Sequence, residues 1–394
     1  MGPARPVRVL DLSGPIGAYC SKLLADLGAD VVLAEPPIGD DLRRRPPFAS
    51  AEDGARASLL FASYHANKRG ITLDCTRDES LPLLEALGQH FDAVIASPTA
   101  RRPVAGFDRD TPSVSWAKPD AIVAAITPFG LTGPWRDLRM TPFLSFAMSG
   151  GMHWVGDPNG PPHAAPCRLL WDEAGTYAAF GILAAVSARD RVGGQVLDLS
   201  VHEVGAAKDF LLERYDVGRP GEWGRAVTVG YPPTGVWECA DGPFAVAVYQ
   251  EHQWAAFLAM LGDPQELSDP IYADPVIRRQ VYDMLKELIA PLMAKRSRLE
   301  LFRLGQELGV PCAPYNTPGD FVADIQAEAR EIFVAAEAPT GPVRIPWRWC
   351  HAAAPLIELR RFAPELGAHN QDVYVDELGF SADELRLWEK QGLV

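Results

Sequence analysis

Residues 8–37, RVLDLSGPIGAYCSKLLADLGADVVLAEPP, read in order as strand, glycine turn, helix, strand and terminal acid. No other stretch narrows the fold as much. A strand that leads through a tight turn into a helix and a second strand is the βαβ unit, whose two strands lie parallel. The run Val7 to Leu12, ending at Gly14, has the continuous apolar character of a strand buried on both faces. Ala18 to Leu27 has helical spacing and stops at Gly28, after which ADVVLAE is a second strand. The same grammar recurs in SLPLLEALGQH as helix, FDAVIAS as strand and DAIVAAITPFG as strand. An α/β, Rossmann-like large domain is therefore expected, its parallel sheet joined by right-handed crossovers.

Further along, loops rich in Pro, Gly and Arg fill 36–58 and 129–142. The segment DEAGTYAAFGILAAVSARD predicts a strongly apolar helix beginning near Asp172, followed by a glycine turn, the alternating strand QVLDLSV and the helix HEVGAAKDFLLERY. From Asp216 to Pro233 the composition turns to Gly, Pro, Trp and polar residues, which marks a linker. Beyond it GVWECADGPFAVAVY reads as a hairpin turning at Asp241-Gly242. Three helices are expected after it, in HQWAAFLAML, RRQVYDMLKELIAPLMAK and LELFRLGQELG, then an extended VPCAPYN. The expected division is a large domain over 1–215, a linker over 216–233, a small α+β domain over 234–325 and a return to the large domain over 326–394, ending in the helix SADELRLWEKQG.

Charge excludes one class of partner. A formal net charge of −14 leaves no basic stripe for nucleic acid, so an anionic ligand must be met by local cations or backbone amides. The six cysteines are scattered without a C-x-x-C pair, which suits reduced thiols of a cytoplasmic protein. The eight histidines show no metal-ligand spacing, so no metal is expected. The first residues lack the apolar core of a secretory signal, and the most apolar run, Ala174 to Val186, is too short to span a bilayer. No membrane association is expected.

Four stretches carry possible chemistry, each beside a plainer reading. Glu35 stands where a dinucleotide fold places the acid that binds ribose, but SGPIG breaks the G-x-G-x-x-G spacing that lets backbone approach a pyrophosphate. A tight turn of a first βαβ unit with no such role is the favoured reading of these residues alone. In WDEAG, Asp172 is either an N-cap or a nucleophilic carboxylate kept ionised by the helix end, while Glu173 projects about 100° away around the helix. Lys68 and Arg69, before an apolar strand, form either a solvated basic face or a phosphate contact. The run FLSFAMSGGMHWVG, with its single His153, is either core or the lining of an apolar pocket.

Taken together, VLDLSGPIGAYCSKLLADLGADVVLAE, NKRGITLD, GLTGPW, DEAGTYAAFGILAAVSARDRVGGQVLDLSVHE, VPCAPYNT and LGAHNQDVYVDELGFSADEL resemble the class III CoA-transferases across nearly the whole chain. That family includes formyl-CoA transferase, the carnitine and bile-acid CoA-transferases and α-methylacyl-CoA racemase. The resemblance implies an interlaced homodimer that takes acyl-CoA and a carboxylic acid as substrates and holds no permanent cofactor. It implies that Asp172 is the nucleophile and that the turn with Ile16 and Gly17 faces coenzyme A. The same site would be completed by Leu73, Asp74 and Cys75 and by the loop with Ser97 and Pro98, with Lys68, Arg69 and Arg139 as candidates for the phosphates. It places Met140, Phe143, Phe146, Met148, Met152, His153 and Trp154 near the acyl group, which is then expected to be bulky and apolar.

Three departures from the family pattern stand out. Pro36 replaces the Arg that often follows the acid of the second strand, so a phosphate there goes unmet or is met by Arg43 to Arg45. IASPT lacks the usual Asn and aromatic residue after the third strand. Thr141 and Pro142 stand where relatives carry an acid or a His-Asp pair, so no imidazole there can exchange an α-proton as a racemase requires. A non-catalytic CoA-binding subunit and a racemase remain the alternatives to a transferase.

Overall fold

Every apolar run of the opening stretch is buried as a strand. β1 (Arg8–Leu12) and β2 (Asp30–Glu35) flank α1 (Ala18–Asp26). They are followed by α2 (Leu59–His65), β3 (Arg69–Thr72), α3 (Leu81–Gly88), β4 (Ala93–Ala96) and β5 (Ile122–Thr127). This computed structural model describes residues 6–50, 56–157, 159–207, 232–338, 341–353 and 356–394. The first unit comprises Met1–Gly151, Ala164–Leu211 and Glu331–Val394, and continues through α4 (Pro142–Met148), α5 (Leu169–Val192), β6 (Gln195–Ser200) and α6 (Val201–Ala206).

The six strands form one sheet in the order β3-β2-β1-β4-β5-β6, and every pairing is parallel. Leu10 at its centre lies between Val32 and Val94. Both faces of the middle are covered, so β4 and β5 are buried at every residue, while the expected alternation of QVLDLS is not seen in edge strand β6, which exposes only Gln195 and Asp198. This strand order is that of the doubly wound nucleotide-binding sheet, in which ligands lie outside the carboxyl ends of the strands where the order reverses. Here that point falls between β1 and β4.

Helix α5 begins three residues before Asp172, the start expected from sequence. Cys167 has φ +60°, which ends the preceding loop, and Leu169, Leu170 and Trp171 are already helical. Asp172 is therefore a first-turn residue, and the N-cap is Arg168, which makes no side-chain cap bond. Pro142 at the first position of α4 and Thr141 as its N-cap explain a helix that the sequence reading passed over: the Thr141 hydroxyl accepts from Leu144 N. α5 packs on α1 so closely that a Cβ at Gly175 would stand 2.8 Å from Cys20 N.

The tail carries the hairpin β10 (Phe333–Ala338) and β11 (Gly341–Pro346) and ends in α10 (Ala382–Gln391). Val373, Tyr374, Leu385 and Val394 join Leu10, Val32, Ile71, Val94 and Trp116 in the main core, and the Tyr374 hydroxyl donates to Thr72 O at 2.8 Å.

The second unit comprises Met152–His163 and Leu212–Arg330, so 152–163 fall outside the unit in which the sequence reading kept them. Its strands β7 (Gly235–Cys239), β8 (Gly242–Val246) and β9 (Cys312–Pro314) form an antiparallel sheet. Helices α7 (Glu251–Leu261), α8 (Tyr282–Met293) and α9 (Arg298–Leu308) share its core of Trp237, Phe244, Trp254, Phe257, Ile289 and Leu301. The helix expected over 278–295 is broken: Pro275–Gln280 is a separate short helix, and Val281, at φ −106° and ψ 28°, leaves the helical region before α8. Most of the expected linker, and the helix expected beyond residue 207, lie outside the described residues. Among the described residues no helix is long and apolar enough to cross a membrane, and no group of three His, Cys, Asp or Glu is placed to hold a metal.

Candidate active site

The turn after β1 is built on a buried carboxylate. Asp11 Oδ1 accepts from Ser13 N at 3.0 Å and from the Ser13 hydroxyl at 2.6 Å, while Oδ2 accepts from Ser21 of α1. Lys68 reaches the same cluster from before β3, donating to Ser21 Oγ at 2.6 Å and standing 3.4 Å from Asp11 Oδ2. His65 Nδ1 lies 2.9 Å from the ammonium, and burial, then the neighbouring Lys68 charge, push His65 well below the ordinary imidazole value. A neutral imidazole accepting from the ammonium fits that direction. The result is a rigid floor beneath residues 13–17.

Three loops meet above this floor, at the carboxyl ends of β1, β2 and β4. They enclose a crevice of about 200 Å³ lined by Pro15, Pro36, Ile38, Asp40, Arg44 and Arg102, among others. Arg102 lies directly over Gly14, whose φ is +60°; a Cβ there would stand 2.2 Å from Nη1. Glu35 is fully buried and bound bidentately by Arg43, Nε to Oε2 at 2.6 Å and Nη2 to Oε1 at 2.7 Å, and it also accepts from Asp40 N. The acid is thus withdrawn from any ribose, and Arg43 from any phosphate. Burial pushes Asp40 up to about 6, opposed by its bond from Leu42 N and by Arg102.

Asp172 sits on the first turn of α5 with its side chain 23% exposed. The Tyr64 hydroxyl donates to Oδ2 at 2.7 Å, while Oδ1 accepts no hydrogen bond from the described residues. Arg168, one turn earlier, places Nε 4.0 Å from Oδ1 and donates through Nη2 to Pro15 O. One arginine therefore joins the carboxylate to the turn that lines the crevice. Burial pushes Asp172 above the ordinary carboxylate value, against the Tyr64 bond and the Arg168 charge, so the helix end does not dominate as the sequence reading expected. Burial and then the Asp172 charge push the Tyr64 phenol upward, which keeps it a donor.

The sequence candidates divide accordingly. Ile16 and Gly17 lie on the turn, and Ser97 and Pro98 begin the loop after β4, with the buried Ser97 hydroxyl unpartnered. Leu73 and Cys75 are buried, and Asp74 accepts from the Thr76 hydroxyl at 2.6 Å. Lys68 is no phosphate ligand at the surface: it is fully buried in the Asp11 cluster. Arg69 is engaged by Asp30 and Glu377, because β3 pairs beside β2 and the tail returns over both. Arg44 pairs with Asp41, and Arg139 is exposed. Met140 and Phe146 are buried, Phe146 lying over Gly151, whereas Phe143, Leu144 and Met148 are exposed. Met152 and His153 belong to the second unit, where His153 meets the Trp154 ring edge-on. Sequence reasoning missed Tyr64, Arg168 and Arg102. Only Arg168 had a signal, its i,i+4 spacing to Asp172.

The description "CoA-transferase family III" belongs to a family model that matches residues 5–370. The chain is 27% identical over 405 residues to a succinyl-CoA–D-citramalate CoA-transferase of Chloroflexus aurantiacus, covering 100% of this chain and 99% of that one. It is 30% identical over 389 residues to a succinate–glutarate CoA-transferase of Agrobacterium fabrum, covering 95% of each. Its fold is similar to the crystal structure of a CAIB/BAIF family protein from Brucella suis, with TM-score 0.79, 27% identity and coverage of 95% of this chain and 99% of that one.

Proposed function

The chain belongs to CoA-transferase family III, and from that premise we propose that it moves coenzyme A from an acyl-CoA to a free carboxylic acid through an aspartyl-CoA thioester on Asp172. The observation that carries the reading is the asymmetry of that carboxylate, one oxygen held by Tyr64 and the other buried with no hydrogen-bond partner among the described residues. A nucleophile needs both: a fixed rotamer and an unbonded attacking oxygen.

Asp172 Oδ1 attacks the donor's thioester carbonyl, the C–S bond breaks, and the CoA thiolate leaves a mixed anhydride. The thiolate then attacks Asp172 Cγ. Charge passes to Oδ2, where the Tyr64 hydroxyl already donates, and collapse expels the donor acid with Oδ1. The acceptor carboxylate attacks Cγ in turn, thiolate leaves, and its return to the acceptor's carbonyl regenerates Asp172. Coenzyme A enters as substrate and lies across the β1–β4 crevice, with Arg102 toward its phosphates in place of Lys68 and Arg69. An α-proton exchange is disfavoured, since residues 139–148 contain no His, Asp or Glu.

The acyl group we assign is apolar, because α4, which packs on α5, presents Phe143, Leu144 and Met148 to solvent. The working form is a homodimer. Tyr177, Phe180 and Leu183 form an exposed apolar stripe along α5, Phe180 at 74%, and a second copy is the partner the family resemblance implies. A Phe180→Asp protein that stays dimeric by light scattering rules out that face. The free cysteines of the described chain fit a cytoplasmic setting.

The test of the central reading is chemical trapping. With an acyl-CoA donor and hydroxylamine, mass spectrometry is expected to find an aspartyl hydroxamate at Asp172. Asp172→Asn keeps the shape without the nucleophile and lowers turnover by orders of magnitude. An Asn variant with intact turnover removes Asp172 from the reaction.

A further inference from the structure

Arg168 holds an unusual electrostatic position. Its side chain is only 11% exposed, and Nη2 donates to Pro15 O. Nε and Nη1 are buried and find no acceptor among the described residues. Asp172 is the carboxylate facing it, but at 4.0 Å Oδ1 stands beyond hydrogen-bond distance of Nε. The Tyr64 and Trp171 rings flank the guanidinium, each with its centroid 5.2 Å from Cζ. A guanidinium cannot lose its charge, and each of its N–H groups can donate to a carboxylate oxygen. Nε and Nη1 are thus two unsatisfied donors on a buried cation beside Asp172 Oδ1, each a seat for one oxygen of a second carboxylate.

We infer that Arg168 is the receptor for the carboxylate of the acceptor acid, and that the seat opens only while Asp172 is a CoA thioester. The inference rests on the transferase reading and adds an order of binding to it. In the free enzyme the Asp172 charge faces Arg168 and repels another carboxylate. In the aspartyl-CoA state that side chain is neutral, Arg168 is left without a counter-charge, and the acid takes its place. One acid oxygen bonds to the guanidinium while the other attacks Asp172 Cγ. The C–S bond breaks and CoA leaves as the thiolate, which attacks the acid's own carbonyl carbon. The bond from that carbon to the aspartyl oxygen then breaks, and the electron pair returns to Asp172 as carboxylate. The product thioester is neutral at this end, so nothing holds it to Arg168.

The experiment begins with formyl-, succinyl- and hexanoyl-CoA, each incubated with the wild-type enzyme and hydroxylamine. If none gives the Asp172 hydroxamate, the transferase reading fails and the seat with it. The donor that does give it names the probe: formate, succinate or hexanoate. Asp172→Asn mimics the neutral thioester state, and calorimetry is expected to show it binding that acid at least 10-fold more tightly than wild type, by the strength of a charge-assisted bond. Arg168→Gln in the same background is expected to lose about 10² in affinity, and Arg168→Lys, which keeps the charge, to recover part of it. An Asp172→Asn protein that binds the acid no better than wild type overturns the inference while the trapped adduct leaves the transferase reading intact. So does an Arg168→Gln change without effect on the acid, and the Lys variant separates lost charge from lost fold.

Discussion

Replacing Tyr64 by Phe deletes one oxygen, the one that donates to Asp172 Oδ2 at 2.7 Å, and leaves the ring that meets Tyr19 edge-on and lies beside Arg168. The charged and titratable groups facing the Asp172 carboxyl among the described residues are Tyr64 on α2, Tyr19 on α1 and Arg168 on its own helix. A hydrogen bond to a charged group contributes about 1.5–3 kcal/mol, and one pKa unit corresponds to about 1.4 kcal/mol. The bond stabilises the ionised form, so its loss raises the Asp172 pKa, in the direction burial already drives it. The carboxylate is 23% exposed, so solvent replaces part of the lost bond and the lower end of that range applies, about one unit. The acid limb of the kcat/KM profile then moves about one unit to higher pH. On the plateau, where Asp172 is ionised in both proteins, kcat falls by about 10², because Oδ2 carries the oxyanion when thiolate attacks Cγ. Steady-state rates from pH 4 to 9 with a non-ionising acyl-CoA measure both effects. A Phe variant whose acid limb and plateau both match wild type refutes the claim that Tyr64 holds the nucleophile.

Coenzyme A is expected to raise the apparent melting temperature and NAD is not; Arg102→Met weakens CoA binding about 10-fold and flattens its salt dependence, whereas equal affinity removes Arg102 from the phosphates. Each buried methylene is worth about 0.8 kcal/mol, so a hexanoyl group half enclosed on the α4 face gains about 2 kcal/mol, roughly 30-fold in kcat/KM, over formyl, and a profile that peaks at formyl-CoA rejects the apolar assignment. Asp40 has a folded value near 6 against an ordinary 3.8, so the native state holds its proton more tightly than the unfolded chain. The associated stability is full below about pH 4 and is lost as pH rises through 6, a decline of roughly 3 kcal/mol. Asp40→Asn removes that slope, and parallel melting curves for variant and wild type across pH 4–7 contradict it.

Much of the α/β unit was legible because its signals are local. DVVLAE and AIVAAIT are continuous apolar runs, and a strand covered on both faces leaves that pattern whatever its neighbours are. QVLDLS is interrupted by the exposed Gln195 and Asp198 because β6 is an edge. Asp172 was legible only through the resemblance its neighbourhood carries, since an acid near a helix start looks the same as a cap or as a nucleophile. The start of α5 was misplaced for the same reason, for the break at Cys167 is a backbone angle that composition does not announce.

Which charges are free is another kind of question. Lys68 and Arg69 stand side by side before β3 and look equally solvated in sequence, yet each finds acids across the sheet. Lys68 meets Asp11, 57 residues away, and Arg69 meets Glu377, 308 residues away. Glu35 looked like a ribose ligand until Arg43 closed over it. The donor to Asp172 is Tyr64, 108 residues earlier, a residue with no pattern of its own. Periodicity and turn chemistry are properties of consecutive residues, so the chain alone settles where strands and helices run and that they alternate into a parallel sheet. The availability of an ionised group depends on what the folded sheet brings within a few ångströms, so the unpartnered oxygen of Asp172, the unsatisfied donors of Arg168 and the burial of Lys68 exist only once distant segments are packed together.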